Sequence, residues 1–564
     1  MNHSNSLNCL NGSNGSNGFY TDVIMKLTIP DLIINTLSRL EVDHLFHLPG
    51  FSLSSFYHSL SLQKKIHSVL FKHEQAACFA AAGYSLVTNK PGVCMVMGGP
   101  GVTNLISAAT ECYYQSIPLV IITVDNPHKN LGREAFHEVD SFSMLTPITK
   151  EIICPERASN VQEAVAHALK AATSGRPGPV YLNLPLHLME QSATIKDVSL
   201  KEINLPTPSS SQIKKALTLI KESKQPVIFA GSGVIRSGAE RELAQFIKLT
   251  GIPAFTSLGG RSALPESIPL VMGMFPYNFD VSFLSEADLF IVLGTRLNQV
   301  NVRMGGIKIS RKMLRVDIDS ENPKYKKADL YLQSDLREFL RSIINQIKKE
   351  KRFPHCSRSA IYESYRKAYD AFNLAEYRSI HTNSKKLTSQ LFLLELKEFL
   401  ETRDATLFTD TVLIPYTHLF PRVKKPRSFF SLGSFGCLGF SLPAALGAAI
   451  AARDRKVISL SGDGAFLFNC QELSTAATYG LENFIQIVLN NSGYSSLHNL
   501  ARKKYNRQEE FYHWSRIDYH RFAESLGVKA MTVDSPAKIT QALKRIFSTR
   551  GPHLLNVVIH RKAT

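Results

Sequence analysis

The sequence predicts an α/β protein assembled from three doubly wound parallel-sheet domains. Short unbroken apolar runs, such as 119–124, 289–293 and 457–461, have the length and composition of strands buried on both faces. These runs alternate with amphipathic or alanine-rich stretches of helical period, the pattern of parallel sheets covered by helices. The 564 residues exceed what one hydrophobic core holds, and polar breaks at 191–211 and 348–359 divide the chain into three segments.

Residues 1–25 are rich in Asn, Ser and Gly and are expected to form a disordered tail. They lack the basic start and apolar stretch of a secretory signal, and Met25, just before the first periodic segment, is an alternative start. The first domain is expected over 26–190. It opens with an amphipathic helix at 29–40, with Pro30 in the first turn, followed by the turn Leu48-Pro49-Gly50. A strand at 66–71 runs into His73, Glu74 and Gln75, and an alanine-rich helix follows at 76–86. The strand at 93–97 ends in the glycine-rich run 98–104, which includes Pro100 and Asn104 and leads into a helix. Further strands are expected at 119–124 and 179–184, and the stretch 191–211, with Pro206 and Pro208, reads as a linker.

The central domain, 205–347, holds strands at 226–230, 289–293 and 314–318. The first ends in Gly231-Ser232-Gly233 and the second at Gly294; such turns more often serve tight strand–helix connections than nucleotide binding. The third domain, 375–564, begins with a strand at 406–409 that ends at Asp410. A glycine-punctuated loop (433–443) precedes an alanine-rich helix (444–452). Then come a strand (457–461), the turn Gly462-Asp463-Gly464, a helix (469–479), a strand (484–489) ending in Asn490 and Asn491, and a last strand (554–559).

A hydrophobic content of 44% and a charged content of 20% are those of an ordinary globular protein. No apolar run approaches the roughly 20 residues that span a membrane. The eight cysteines are scattered without a CxxC pair, which suggests reduced thiols in a cytoplasmic protein. The net charge is +18, with basic clusters at 348–352, 424–427 and 502–504. No nucleic-acid-binding motif accompanies them, so they read as solvated linkers and helix faces. Their field would attract small anionic substrates.

Asp463 and Asn491 stand at the carboxyl ends of two strands joined by one helix, where ligands of doubly wound sheets sit. There they could face one hard cation, while the amides of Gly464 and Ala465 could face phosphate oxygens. The outline is that of a diphosphate–Mg²⁺ site.

Four blocks make the pattern recognisable: 71–77 with Gly83-Tyr84, 98–104, 439–445, and Gly462-Asp463-Gly464 through Asn490-Asn491. In this order they resemble the thiamine-diphosphate-dependent enzymes of the acetolactate synthase (acetohydroxyacid synthase) family, over nearly all of 27–559. The resemblance implies three sheet domains of the thiamine-diphosphate enzyme type and a 2-oxo acid decarboxylase or carboligase. It makes Glu74 the catalytic carboxylate that hydrogen-bonds the aminopyrimidine and promotes loss of the C2 proton. Asp463 and Asn491, with the carbonyl of Gly493, would bind Mg²⁺, and Gly464 and Ala465 the diphosphate. Leu438 would lie beneath the thiazolium, Gly436 would accept from the 4′-amino group, and Pro100 and Asn104 would pack on the pyrimidine. Gly50 is carried over as a further cofactor contact. A core leucine is the alternative for Leu438, and a helix cap for Asn104. Since the glutamate and the metal site come from different subunits in such enzymes, a homodimer or homotetramer is implied.

Departures from the family concern the substrate. The family's RFDDR-like run reads 296–300 here and ends in Val300, and its tryptophan after the Asn pair falls at Leu500. GQH becomes Val412-Leu413-Ile414, and FQE becomes Phe136-His137-Glu138. The chain also ends soon after its last strand, where the family carries a longer tail. Losing an arginine–carboxylate contact removes roughly 1.5–3 kcal/mol. A different acceptor, plain decarboxylation or a non-catalytic relative therefore stay open. The central domain keeps Gly231-Ser232-Gly233 and Asp317-Ile318-Asp319, but the altered run after Arg296 leaves FAD open.

Overall fold

The computed structural model describes residues 26–126, 132–199, 204–275, 279–299, 302, 306–309, 311–320, 327–350, 359–382, 386–431, 433–505 and 510–560. The tail 1–25 and Val300 lie outside the described residues, as do the side chains of Val412 and Ile414.

The first segment holds β1 (Lys26–Thr28), β2 (His44–His47), β3 (His67–Leu70), β4 (Gly92–Met97), β5 (Leu119–Asp125), β6 (Ile152–Ile153), β7 (Pro179–Pro185) and β8 (Ser192–Thr194). The central one holds β9 (Pro226–Ala230), β10 (Ala254–Thr256), β11 (Val271–Gly273), β12 (Leu289–Leu293), β13 (Lys312–Asp317) and β14 (Leu330–Gln333). The third holds β15 (Ala405–Thr409), β16 (Phe429–Ser431), β17 (Lys456–Gly462), β18 (Phe484–Asn490), β19 (Lys529–Val533) and β20 (His553–Val558).

Each segment builds a six-stranded parallel sheet, in the orders β3-β2-β4-β5-β7-β6, β11-β10-β9-β12-β13-β14 and β16-β15-β17-β18-β20-β19. The first and third sheets thus share one topology, while the central sheet has the strand order of dinucleotide-binding folds. Each sheet has a switch point, between β2 and β4, β9 and β12, or β15 and β17, which opens a crevice at the strand carboxyl ends. Strands β5 and β18 are buried along their whole length, which is why they read as unbroken apolar runs. Outside the main sheets β1 and β8 pair antiparallel. β8 lies in the stretch expected to be a linker, and its three residues are too few to show a strand period.

Two helices, Glu74–Thr88 and Ser441–Ala451, join the first and third segments. They cross with backbones nearly touching: a Cβ on Gly83 would lie 1.9 Å from the carbonyl oxygen of Ala444, and one on Gly447 would lie 1.9 Å from that of Ala80. Only glycine fits at either point, so the roughly 1 kcal/mol that a mid-helix glycine costs is offset by close packing. Around this crossing one apolar cluster runs from Phe46, Phe79 and Cys112 to Phe440, Val488 and Leu554. The central domain has clusters of its own.

The helix Glu74–Thr88 starts two residues before the expected boundary because the Nδ1 of His73 accepts from the Gln75 amide at 3.1 Å. The helix expected at 469–479 is present as a 3₁₀ turn, Cys470–Glu472, running into the α-helix Leu473–Thr478, and a separate short helix, Asp463–Phe466, precedes it. Asn469, at φ −138°, separates the two, and its side chain donates to the Gly439 carbonyl and to the side-chain carbonyl of Gln75. Among the described residues no helix is long and apolar enough to cross a membrane. Cys78, Cys94 and Cys112 are free, buried thiols.

Candidate active site

The first half of the site lies at the β2/β4 switch point. Gly50 follows β2 so closely against β4 that a Cβ there would lie 2.6 Å from the Cβ of Met97. After β4 the chain turns through Gly99 (φ +65°) into a helix, Pro100–Gln115, with Pro100 at its first position. Glu74 opens the neighbouring helix with only 7% of its surface exposed. Its Oε2 accepts from the Asn104 amide at 2.9 Å, and its Oε1 has no donor among the described residues. Asn104 is not a helix cap, since it lies inside the helix and Gly99 holds the cap position; it fixes one oxygen of a buried carboxylate and leaves the other available.

The second half lies beside β17. The register pairs Gly462 with Leu489, so Asp463 and the Asn490–Asn491 pair leave the sheet side by side. Asn490 turns into the sheet and donates to Asn556 at 3.0 Å, which leaves Asn491 at the site. Asp463 is buried; burial raises its carboxyl to about 7, although the amides of Ser492, Gly464 and Gly493 face it. Its Oδ2 has no donor among the described residues. An orphaned buried carboxylate oxygen next to amide oxygens fits a hard cation, which would favour the ionised form. Gly464 allows no side chain, since a Cβ would lie 2.5 Å from the Tyr494 ring and 3.3 Å from Trp514. Its amide bonds Asp463 Oδ1 at 3.1 Å, and Ala465 beside it is buried in the same short helical turn. Gly493 lies in a bridge to His513, where a Cβ would strike the imidazole at 2.3 Å. Among the described residues Glu74 and Asp463 share no hydrogen bond.

The loop carrying Gly436 and Leu438 faces the β15/β17 crevice. Gly436 adopts φ +93°, in the region that favours glycine. Leu438 is half-buried and belongs to none of the apolar clusters, unlike a core leucine. The far end of the loop is held by Asp410, whose Oδ1 accepts from the Phe440 amide at 3.0 Å and Oδ2 from the Ser441 hydroxyl at 2.5 Å. Burial pushes the Asp410 carboxyl from 3.8 up to about 6 despite these bonds. A raised acid pKa means that the folded chain binds this proton more tightly than the unfolded chain. The resulting stability is complete below the unfolded value and is lost as pH rises through about 6. Asp410→Asn keeps an acceptor for Phe440, so it should gain stability over the parent between about pH 4 and pH 7, by up to about 3 kcal/mol. Denaturant titrations across that range test this, and a stability difference that is flat with pH would refute it.

Three family models match the chain in order. They are the N-terminal TPP binding domain of the thiamine pyrophosphate enzymes over 27–144, their central domain over 213–343, and their C-terminal TPP binding domain over 414–557. The chain is 32% identical over 555 residues to a probable acetolactate synthase large subunit of Methanococcus aeolicus, covering 94% of this chain and 91% of the relative. The chain belongs to the thiamine pyrophosphate enzyme family. It is also 31% identical to an acetolactate synthase large subunit of Mycobacterium tuberculosis, covering 93% and 86% of the two chains. With the large subunit of acetolactate synthase isozyme 1 of Escherichia coli it shares 30% identity over 96% and 95%. It is a thiamine-diphosphate-dependent enzyme of the acetolactate-synthase-like type.

His137 has φ +65° and is half-buried; its carbonyl oxygen lies 2.3 Å from the position a Cβ would take on Gly99, so its loop sits on the Gly99 turn. Glu138 clamps that loop by accepting from the amide of Ala135 at 2.8 Å. Leu500 is 58% exposed. Residues that sequence reasoning missed include Asn469, which joins Gln75 at 3.1 Å to Gly439 at 2.8 Å across the two cofactor-binding domains. Trp514, which packs on Gly464, was also missed. For Asn469 the available signal was a polar residue at the expected helix start, shortly after the glycine turn.

A cleft of about 210 Å³ lies between the three domains and is lined by Arg176, Arg236, Arg296, Asp317 and Asp319. Its glycine turns serve packing, as the sequence suggested: the Gly231 amide bonds Leu293 at 2.8 Å and the Gly233 amide bonds Gly294 at 3.0 Å. Arg236 keeps Nε and Nη1 buried without an acceptor among the described residues, and burial pulls its pKa down to about 10.

Proposed function

We propose that this enzyme decarboxylates a 2-oxo acid and joins the remaining fragment to an acceptor carbonyl. The observation that carries the proposal is the buried Glu74 carboxylate, which keeps one oxygen available while Asn104 holds the other. Thiamine diphosphate, when bound, supplies the carbon acid and electron sink that such a decarboxylation needs. Glu74 would hold a proton at the pyrimidine nitrogen of that cofactor. Asp463, Asn491 and the Gly493 carbonyl would hold Mg²⁺, and Gly464 and Ala465 would bring the backbone against the diphosphate. Oxygen ligands with room for water suit Mg²⁺. Pro100 and Gly50 would border the pyrimidine, and Leu438 would support the other ring. With its unpaired buried guanidinium, Arg236 fits the phosphates of a nucleotide such as FAD in the central cleft.

The protein acts as a homodimer or a higher assembly of such dimers. Phe51 beside Gly50, Phe136 over the Gly99 turn and Phe511 beside the Gly493 bridge are 87%, 82% and 84% exposed, so both halves of the site are edged by apolar surface for a second copy to cover. Purified protein given thiamine diphosphate, Mg²⁺ and a panel of 2-oxo acids should release CO₂ and yield a carboligation product by mass spectrometry. No turnover with any member of the panel would sink the proposal, and an aldehyde as sole product would reduce it to simple decarboxylation.

A further inference from the structure

Glu111 is fully buried near the end of the helix Pro100–Gln115, and its partners lie in another domain. Its Oε2 accepts from the amides of Gly436 at 2.8 Å and Cys437 at 3.0 Å, and its Oε1 from the amide of Phe435 at 3.4 Å. Gln115 donates to the same Oε1 at 3.2 Å. The helix grips the turn at further points. The Cys437 thiol donates to the Ser107 carbonyl at 3.2 Å, and the Phe435 ring lies parallel to Tyr114 with centroids 5.8 Å apart. With Asp410 binding the loop from the other side at Phe440 and Ser441, Leu438 stands between two buried carboxylates and is held by neither.

In a trans peptide the C=O and N–H point in opposite directions. Because the Cys437 N–H points at Glu111, the Gly436 carbonyl of the same peptide points directly away from it. We infer that Glu111 is a positioning residue which, from the neighbouring domain, aims the Gly436 carbonyl and sets the height of Leu438 in the cofactor site. The inference rests on the cofactor roles proposed above for Gly436 and Leu438. No crowding holds the turn in place, since a Cβ on Gly436 would meet nothing nearer than Thr411 at 3.9 Å. The carboxylate holds the Gly436 and Cys437 amides, through hydrogen bonds strengthened by charge, beside the weaker thiol and ring contacts.

Glu111→Gln replaces one acceptor oxygen with an NH₂ group that faces backbone N–H donors. In the full-length protein it should slow C2-proton exchange of bound thiamine diphosphate by about 10-fold or more, the value of one charge-assisted hydrogen bond. Cofactor affinity, read from the fluorescence of Trp514, the sole tryptophan, should change less than about threefold, because the metal and diphosphate contacts lie elsewhere. Exchange at the parent rate in folded Glu111→Gln overturns the inference. If that variant does not fold, hydrogen–deuterium exchange of the parent decides: the amides of Gly436 and Cys437 should be protected beside the exposed Phe435, and exchange at an open-loop rate overturns the inference. A parent protein that binds no thiamine diphosphate would overturn the cofactor roles and with them the positioning inference. Protection of those amides would then still locate the Glu111 contact, separating the two failures.

Discussion

Glu74→Gln should leave a folded protein that binds thiamine diphosphate yet no longer exchanges its C2 proton. Gln occupies the same volume and still accepts from Asn104 through its carbonyl oxygen, so the local packing around the helix start survives. What is lost is the acidic hydrogen that a carboxyl group holds at the pyrimidine nitrogen. General acid–base contributions of this kind are worth about 10²- to 10⁴-fold, and the exchange rate and turnover should both fall by amounts in that range. Proton NMR of the bound cofactor in D₂O measures the first, and CO₂ release the second. If exchange persisted at the parent rate, Glu74 would be a helix-start acid and nothing more.

Asp463→Ala should act at the other end of the cofactor and with the opposite signature. It removes the one carboxylate among the proposed metal ligands, and loss of an outer-sphere partner alone typically costs 10- to 100-fold in metal affinity. Losing the ligand itself should weaken Mg²⁺-dependent cofactor binding by at least about 100-fold. The Trp514 signal should then fail to saturate, and excess Mg²⁺ should not restore it. Stability without cofactor should change little, because the substitution breaks one hydrogen bond, from the Gly464 amide to Oδ1, while it also removes a carboxylate that burial disfavours. Unchanged Mg²⁺-dependent cofactor affinity would remove Asp463 from the metal site. The two substitutions thus separate proton chemistry from cofactor retention.

Strands buried on both faces announce themselves as apolar runs, and the glycine turns after β4 and β17 mark where the sheets open. That is why the strand cores and the place of Asp463 at a strand end were legible from the sequence, whereas Glu74 stood out only through the resemblance of its block. Contacts that depend on a distant partner were not. Glu111 binds amides 325 residues later, and in the sequence it is one acid in an otherwise buried helix face with Ala108 and Cys112. An acid on a buried face is itself a signal, since burial without partners is costly. The short helix Asp463–Phe466 escaped because four residues are too few to show a helical period. β8 escaped because a three-residue strand is defined by its partner, not by its own pattern.

The crossing of Gly83 and Gly447 has a consequence for how the chain is made. Gln75 and Asn469, which meet beside that crossing, are 394 residues apart. At roughly 5–20 residues per second a ribosome needs about 20 to 80 s to cover that distance. During this time the alanine-rich face of Glu74–Thr88 has emerged without the helix that will cover it. The central domain, with apolar clusters of its own, can close meanwhile. The first domain therefore waits half-finished for the last third of the chain, and that interval is when a chaperone, or a second nascent copy, would find it open.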